Sequence, residues 1–479
     1  MQVILESTQA GEESREASSQ FADFCGKRVH LIGIGGSGMF GAARMLLQSG
    51  AKVSGTDQRQ FDGVGELVAG GAVVHFDHNG EHVPVDADLV VRSAAVPDSN
   101  PEVASARSRS IPVICYAELL GRITASRLGV CIAGTHGKST TTALTAHVLH
   151  SSGIDPSYIC GAASQQLGGS SGVGRGPHFV VESCEYGRSF LHMRPFSAAI
   201  LNIDCDHLDC YRDLDEIVAA FGEFAARVSP RGLLVVNHDD LETKQAAKNA
   251  RCQVETCGFG PGADVRAVSL RARHGCHSFQ VLYHGEPMMH CSLAIAGKHN
   301  VSNALAAVAL ARHAGATPEQ IAEALASFEG ISRRMSLRGK WRGVTVVDDY
   351  AHHPTEIRAT LEAIRSHYSP RRTWVVFQPH QASRTRRLLK EFAGSFSDAD
   401  IVLVPDIYSV RDTDDDRLSV NSAGLVRDIC QNGKDSRYLP TFDDVTEHLV
   451  ANLAEGDLVV TMGAGDVWKV ADGLVQRPQ

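Results

Sequence analysis

Two glycine-rich turns, each closing an apolar strand and opening a helix, constrain this chain more than any other feature. The first is Gly33-Ile34-Gly35-Gly36-Ser37-Gly38, between the short apolar strand expected at Arg28–Ile32 and a helically spaced stretch over 39–48. The second is Gly134-Thr135-His136-Gly137-Lys138-Ser139-Thr140, between an apolar run at 129–133 and a helical stretch over 139–150. A strand that passes through a tight turn into a helix is half of a β–α–β unit. Such units build parallel sheets covered by helices. Glycines let the backbone approach an anion at the helix N-terminus, where N–H groups lack partners.

The two turns differ in what they specify. Residues 33–38 fit G-x-G-x-x-G, and Asp57 ends the next strand 19 residues after Gly38. That pattern suits a nucleotide diphosphate, with the acid on a ribose hydroxyl. NAD is one reading and a structural turn is another. The second turn is more specific. Its N–H groups can cradle phosphates, Lys138 can reach the β- and γ-phosphates, and the Ser139 or Thr140 hydroxyl can ligate Mg²⁺. It is shorter than G-x-x-x-x-G-K-[ST], because Ile132 stands five residues before Gly137. ATP is expected here. Two nucleotide turns on separate units suggest one nucleotide as fuel and one carried by the substrate, which a simple dehydrogenase does not need.

A chain of 479 residues has room for about three domains of roughly 150 residues each. Strand–helix alternation supports an α/β chain of three units. Expected are a Rossmann-like N-terminal domain at 24–126, a central P-loop ATPase-like parallel sheet at 127–335, and a Rossmann-like C-terminal domain at 336–479. Residues 1–23 are polar and acidic and are expected to be a disordered tail. A helix is expected from Asn300 to about 314, and a capping box at Thr317-Pro318-Glu319-Gln320 starts another. The run 411–417, dense in Asp and Arg, reads as a solvated loop.

Composition narrows the partners. Hydrophobic residues make up 43% and charged residues 21%, the balance of a globular protein. No apolar run approaches the ~18–20 residues of a membrane span. The formal net charge of −9 comes without a basic stripe, which argues against nucleic acid. Twelve cysteines are dispersed without a C-x-x-C pair, as expected for reduced thiols in a cytoplasmic protein. Cys205 and Cys210 flank His207 but lack the four-ligand spacing of zinc. The N-terminus has no basic segment or apolar core of signal-peptide type.

Carboxylates gather where a cation would be needed. Glu182-Ser183-Cys184-Glu185 follows one expected strand, and Asn202-Ile203-Asp204-Cys205-Asp206-His207-Leu208-Asp209 follows the next. In a parallel sheet both emerge at the C-terminal edge, beside the phosphate turn. Oxygen ligands and one imidazole suit Mg²⁺ during phosphoryl transfer.

These segments together resemble the Mur ligases. The resemblance is carried by Gly134-Thr-His-Gly-Lys-Ser-Thr140, Asp206-His207-Leu-Asp209, Gly297-Lys-His-Asn300-Val-Ser-Asn303, Arg333-Arg334-Met335 and Asp348-Asp349-Tyr350-Ala-His352-His353-Pro354, in the family's order. It covers roughly residues 24–475. Residues 182–191 and Phe377-Gln-Pro-His380-Gln381-Ala-Ser-Arg384-Thr-Arg386 point to the branch that adds L-alanine to UDP-N-acetylmuramate. A murein-peptide-recycling ligase is the near alternative. An NAD(P)-dependent oxidoreductase and a non-catalytic nucleotide sensor are the readings from other classes.

The resemblance implies an ATP-dependent amide ligase that works through an acyl phosphate. Its cofactors would be ATP and Mg²⁺, with Mn²⁺ able to substitute. Lys138, His207, Arg334 and Asp349 would be catalytic. ATP would contact residues 134–140, namely Gly134, Thr135, His136, Gly137, Lys138, Ser139 and Thr140, together with Asn300, Asn303, Arg334 and Asp349. Ser139, Thr140, Glu182 and His207 would hold metal. Gly33, Gly35, Gly36, Ser37, Gly38, Met39, Asp57 and Ser93 would hold the UDP-sugar. Tyr350, His352, His380 and Arg384 would form the amino-acid pocket, with Arg384 a clamp for the alanine carboxylate. Two departures stand out. Gln381 replaces an arginine that alanine ligases often carry. No lysine lies between 191 and 243, so the carbamylated lysine of other family members has no counterpart.

Overall fold

Three sheets follow one another along the chain. The structure, a computed structural model, describes residues 24–207, 209–410 and 412–478. The expected tail at 1–23 lies outside the described residues. No helix among the described residues is long and apolar enough to cross a membrane.

The first sheet contains β1 (Arg28–Ile32), β2 (Lys52–Thr56), β3 (Val73–His75), β4 (Leu89–Arg92) and β5 (Val113–Cys115), in the order β3-β2-β1-β4-β5. All its pairs are parallel. The order reverses at β1, so the first glycine turn opens into the crevice where such sheets bind ligands. The helix Ser37–Gln48 buries Met39, Ala42, Ala43 and Leu46, the i, i+3, i+4, i+7 stripe of a helix on a sheet.

The second sheet has ten strands: β6 (Leu128–Ala133), β7 (Ser157–Ser164), β8 (Gly169–Gly172), β9 (His178–Glu182), β10 (Ser197–Ile200), β11 (Leu233–Asn237), β12 (Gln253–Gly258), β13 (Val265–Arg273), β14 (Cys276–Tyr283) and β15 (Glu286–Ala296). Their order is β15-β14-β13-β12-β11-β10-β6-β9-β7-β8. The run from β13 through β12, β11, β10, β6 and β9 to β7 is parallel. Antiparallel strands flank it, β8 at one edge and β14 and β15 at the other. The sequence reading assigned no strands between 237 and 300, where four occur. β15 alternates buried and exposed positions only along its second half, so its period-2 signal is short. The helices Lys138–Ser151 and Lys298–His313 are buried along most of their length. Small and apolar residues on every face are what a helix packed on several sides requires.

The third sheet contains β16 (Ser336–Trp341), β17 (Val344–Asp349), β18 (Thr373–Phe377), β19 (Ile401–Val404), β20 (Asp435–Tyr438) and β21 (Leu458–Met462), in the order β16-β17-β21-β18-β19-β20. Only β16 runs antiparallel to its neighbour. The expected loop at 411–417 is corrected in part. Asp414–Ser419 is a short helix closed by a Thr413–Asp416 capping box. Asp412 is buried and accepts from the N–H groups of Ala382 and Ser383. Asp412 and Asp416 thus cap two helices, while Asp414, Asp415 and Arg417 are exposed as expected.

Packing distinguishes the domain junctions. One apolar cluster runs from Leu31 and Met39 of the first domain to Cys131, Ile200 and Phe221 of the second. The third sheet has apolar clusters of its own. Polar contacts cross its junction with the central domain: His136 with Glu356, Thr355 with Asp204, and Arg384 with Asp206.

Candidate active site

The second turn is held open by glycine and asparagine. Gly134 and Gly137 have φ of +137° and +83°, a region that L side chains rarely adopt. A Cβ on Gly137 would also lie 2.5 Å from Asn303 Oδ1. Asn202, two residues past β10, fixes the turn's other side. Its carbonyl accepts from Thr135 N at 3.0 Å and its Oδ1 accepts from His136 N at 2.7 Å. Its Nδ2 donates to the His136 carbonyl at 3.0 Å.

Lys138 Nζ folds back onto the turn. It donates to the carbonyls of Gly134 and Thr135 at 2.6 and 3.0 Å and pairs with Glu185 at 2.9 Å. Burial alone would lower its pKa, but the neighbouring groups together, Glu185 foremost and Glu182 with it, outweigh burial and raise it above the ordinary lysine value. The ammonium is therefore charged.

Two oxygens beside it fit a hard cation. Ser139 Oγ donates to Glu182 Oε2 at 2.8 Å, and Gly161 N donates to the same oxygen at 2.8 Å. A Cβ on Gly161 would lie 2.6 Å from Glu182 Oε2 and 3.0 Å from Ser139 Oγ. The glycine thus keeps a small space next to a hydroxyl and a carboxylate, the donor types that Mg²⁺ takes. His207 stands with other acids, its Nε2 3.7 Å from Glu185 and 3.9 Å from Asp206.

A cavity of about 660 Å³ opens beside the turn, a volume within the range of small-ligand sites. His136, Gly137, Thr140, Asn300 and Asn303 line it from the central domain, and Arg334, Asp349 and Glu356 line it from the far side. Asn300 donates to the Ala296 carbonyl at 2.6 Å, and Asn303 donates to Asn300 at 3.1 Å. Arg334 lies 3.6 Å from Glu356 and over the Tyr350 ring at 5.2 Å. Asp349 accepts from Met335 N and Ala351 N at 2.7 and 2.8 Å. Burial pushes its carboxyl up to about 6, against the pull of Arg334.

The four amino-acid-pocket candidates form one chain of contacts. Tyr350 and His352 have ring centroids 5.3 Å apart, and His352 and His380 6.1 Å apart. Arg384 Nη1 lies 3.2 Å from His380 Nδ1. Burial pushes the His352 imidazole down to about 4, so it is neutral near pH 7. The Arg384 guanidinium spends Nε and Nη2 on Asp206, at 3.0 and 3.3 Å. It is thus an interdomain tie in this arrangement, with its Nη1 edge turned toward His380. Gln381 adopts φ +70° and its N–H donates to the Tyr408 carbonyl at 3.0 Å.

The first turn is a separate site. Gly35 N donates to Asp57 Oδ2 at 2.9 Å. Cβ atoms on Gly33, Gly35 and Gly38 would lie 3.1 Å from Ser93, 2.4 Å from Phe61 and 2.8 Å from Tyr116. The glycines are therefore required by close neighbours, and Asp57 and Ser93 are among them. Met39 is buried in the helix behind the turn.

Three residues of these sites had no sequence signal of their own. Asn202 stood inside an acidic run. Tyr116 opens the helix Tyr116–Ser126 and packs on Gly38. Glu356 reads as a first-turn helix acid, yet it meets His136, His352 and Arg334. Only its spacing from His352, at i+4, hinted at contact.

Family models described as the Mur ligase family catalytic domain, the Mur ligase middle domain and the Mur ligase glutamate ligase domain match residues 28–128, 132–311 and 333–465. The UDP-N-acetylmuramate–L-alanine ligase of Clostridium novyi is 41% identical over 452 residues, covering 94% of this chain and 97% of that protein. That of Caldanaerobacter subterraneus subsp. tengcongensis is 42% identical over 453 residues, covering 94% and 98%. Among solved structures, the UDP-N-acetylmuramate-alanine ligase of Thermotoga maritima superposes with TM-score 0.79 at 27% identity, over 94% of this chain and 98% of that one. A murein peptide ligase from Psychrobacter arcticus has the same fold, with TM-score 0.70 at 24% identity, over 94% and 98%.

Proposed function

The chain belongs to the Mur ligase family, and from that premise we infer that it is an ATP-dependent amide-bond-forming ligase, which joins L-alanine to the lactyl carboxylate of UDP-N-acetylmuramate in peptidoglycan precursor synthesis. The observation that carries the reading is the end-to-end likeness to L-alanine ligases, at 41–42% identity over 97–98% of their length.

The chemistry asks for what the cavity offers. A carboxylate is a poor acyl donor, so its oxygen first attacks the γ-phosphorus of ATP and ADP leaves. The alanine amine then attacks the acyl carbon and phosphate leaves. Two anions must meet in the first step, so cations must offset their charge. Lys138 exchanges the Gly134 and Thr135 carbonyls for β- and γ-phosphate oxygens. Arg334 brings a second positive charge from the domain junction, with Asp349 and Glu356 orienting it. Ser139 and Glu182 are the proposed Mg²⁺ holders, with Thr140 and His207 completing the donor set; the ion, when bound, supplies further neutralisation of the phosphates.

Asn300 and Asn303 hold the nucleotide against the turn. The N-terminal turn at 33–38, with Asp57 and Ser93, receives the UDP moiety. Tyr350, His352 and His380 shape the alanine pocket, and Arg384 Nη1 is the edge offered to the alanine carboxylate. A nucleotide-sugar substrate and ATP are consistent with a cytoplasmic enzyme.

A phosphate-release assay with Mg-ATP and UDP-N-acetylmuramate tests this. L-alanine should drive release, and other single amino acids should do so less well. Release with a tripeptide and none with L-alanine would assign the chain to peptide recycling instead.

A further inference from the structure

A second cluster, two of whose members line the cavity, has a different donor chemistry. His136, Asp204 and His353 each offer one ligand atom, and these atoms lie within 4.8 Å of one another. His136 Nε2 is 3.2 Å and His353 Nδ1 is 3.7 Å from Asp204 Oδ2. Ligands bound at about 2.0–2.2 Å around one ion sit roughly 2.9–3.5 Å apart. Asp204 is therefore within a few tenths of an ångström of a shared shell with each imidazole, and the whole trio lies within 4.8 Å.

Their surroundings match as well. Ligating imidazoles usually give their other nitrogen to an oxygen. His136 Nδ1 faces Glu356 Oε1 at 3.2 Å, and His353 Nε2 faces the Cys205 carbonyl at 3.4 Å. His353 Nδ1 accepts from Thr355 N at 3.3 Å, so an ion at this atom takes over the lone pair that otherwise caps the helix. His353 is also buried, at 4% exposure.

We propose that His136 Nε2, Asp204 Oδ2 and His353 Nδ1 form a site for a borderline divalent transition-metal ion, Zn²⁺ or Co²⁺, that ties the phosphate turn to the C-terminal domain. Two imidazoles and one carboxylate select such ions over Mg²⁺, which prefers oxygen throughout. The site shares no donor with the Ser139–Glu182 pair. His136 belongs to the phosphate turn, and His353 caps the helix Pro354–Tyr368, so an ion here spans the polar junction. Binding takes the place of the proton on His136 Nε2, which is released to solvent.

The test uses the full chain, free of nucleotide, titrated with Co²⁺ alone at pH 8. The expected result is one Co²⁺ per chain with visible d–d absorption and no thiolate charge-transfer band. Asp204→Asn and His353→Asn should each weaken that binding at least about tenfold. Asparagine at 353 can still cap the helix, so loss there is not loss of fold. Zn²⁺ should raise the melting temperature of the parent chain and not that of either variant. Unchanged Co²⁺ binding in both variants would overturn the proposal. So would a thiolate band showing that cysteines hold the ion, or the absence of binding. The phosphate-release assay under Mg²⁺ reads the ligase assignment separately.

Discussion

The two glycine turns share a backbone plan and differ in what stands around them. Each ends a central strand of a parallel sheet and opens a helix. At the first, Asp57 accepts from Gly35 N, and aromatic rings of Phe61 and Tyr116 crowd the glycines. At the second, a buried lysine and two carboxylates stand beside the turn, and a cavity lined by the turn and by Arg334 opens next to it. A strand–glycine–helix turn makes an anion site. Adjacent strand ends decide whether the anion is only held or also transferred.

The sharpest way to break this contrast is to damage each turn in turn. Lys138→Ala should cost roughly 10³-fold in kcat, the scale of losing one charge on a transferring phosphoryl group. Its effect on KM for the UDP-sugar should be small. Gly35→Ala drives a Cβ toward Phe61, an overpacking of about 1–3 kcal/mol. It should raise KM for the UDP-sugar about tenfold and leave kcat nearly unchanged. Steady-state kinetics on both variants would check the split, and a kcat loss in Gly35→Ala would erase the distinction.

Acid should act through the second turn's cavity. Burial raises Asp349 to about 6, so its carboxylate is lost as pH falls through that value. Turnover should then decline about tenfold per pH unit below 6. A pH–rate profile of Asp349→Asn should lack this limb.

The smallest effect concerns stability. Burial disfavours the His136 imidazolium, but Asp204 and Glu356 outweigh it and raise the pKa to about 9. The folded state therefore holds this proton more tightly than the unfolded chain, whose value is near 6.5. Its stabilisation is present below pH 6.5 and lost as pH rises through 9. With chelator and no nucleotide, the melting temperature should fall by roughly 2–4 °C between pH 7 and 9.5 from this group. His136→Gln should flatten that component in calorimetry.

Much of this architecture was legible because its signals are local. Both turns, their strands and their helices are contiguous in sequence. The strand β7 was not, since it carries Gly161 in its interior, where glycine ordinarily weakens a strand. That glycine answers to Glu182 and Ser139, a demand visible only in three dimensions. Arg384 was recognised as a carboxylate binder, but its partner Asp206 is 178 residues away. No spacing rule links them. Glu356 was hidden for the same reason, as its contacts with His136 cross the domain junction.

The packing of Asn303 against Gly137 carries a consequence for how the protein is made. Roughly 170 residues separate them, about 10–30 s of synthesis at 5–20 residues per second. Throughout that interval β6 and its turn have left the ribosome without the helix Lys298–His313 that covers them. Until that helix is made, Val130 and Ile132 of β6 lack the Val301 and Leu305 side chains they share a core with.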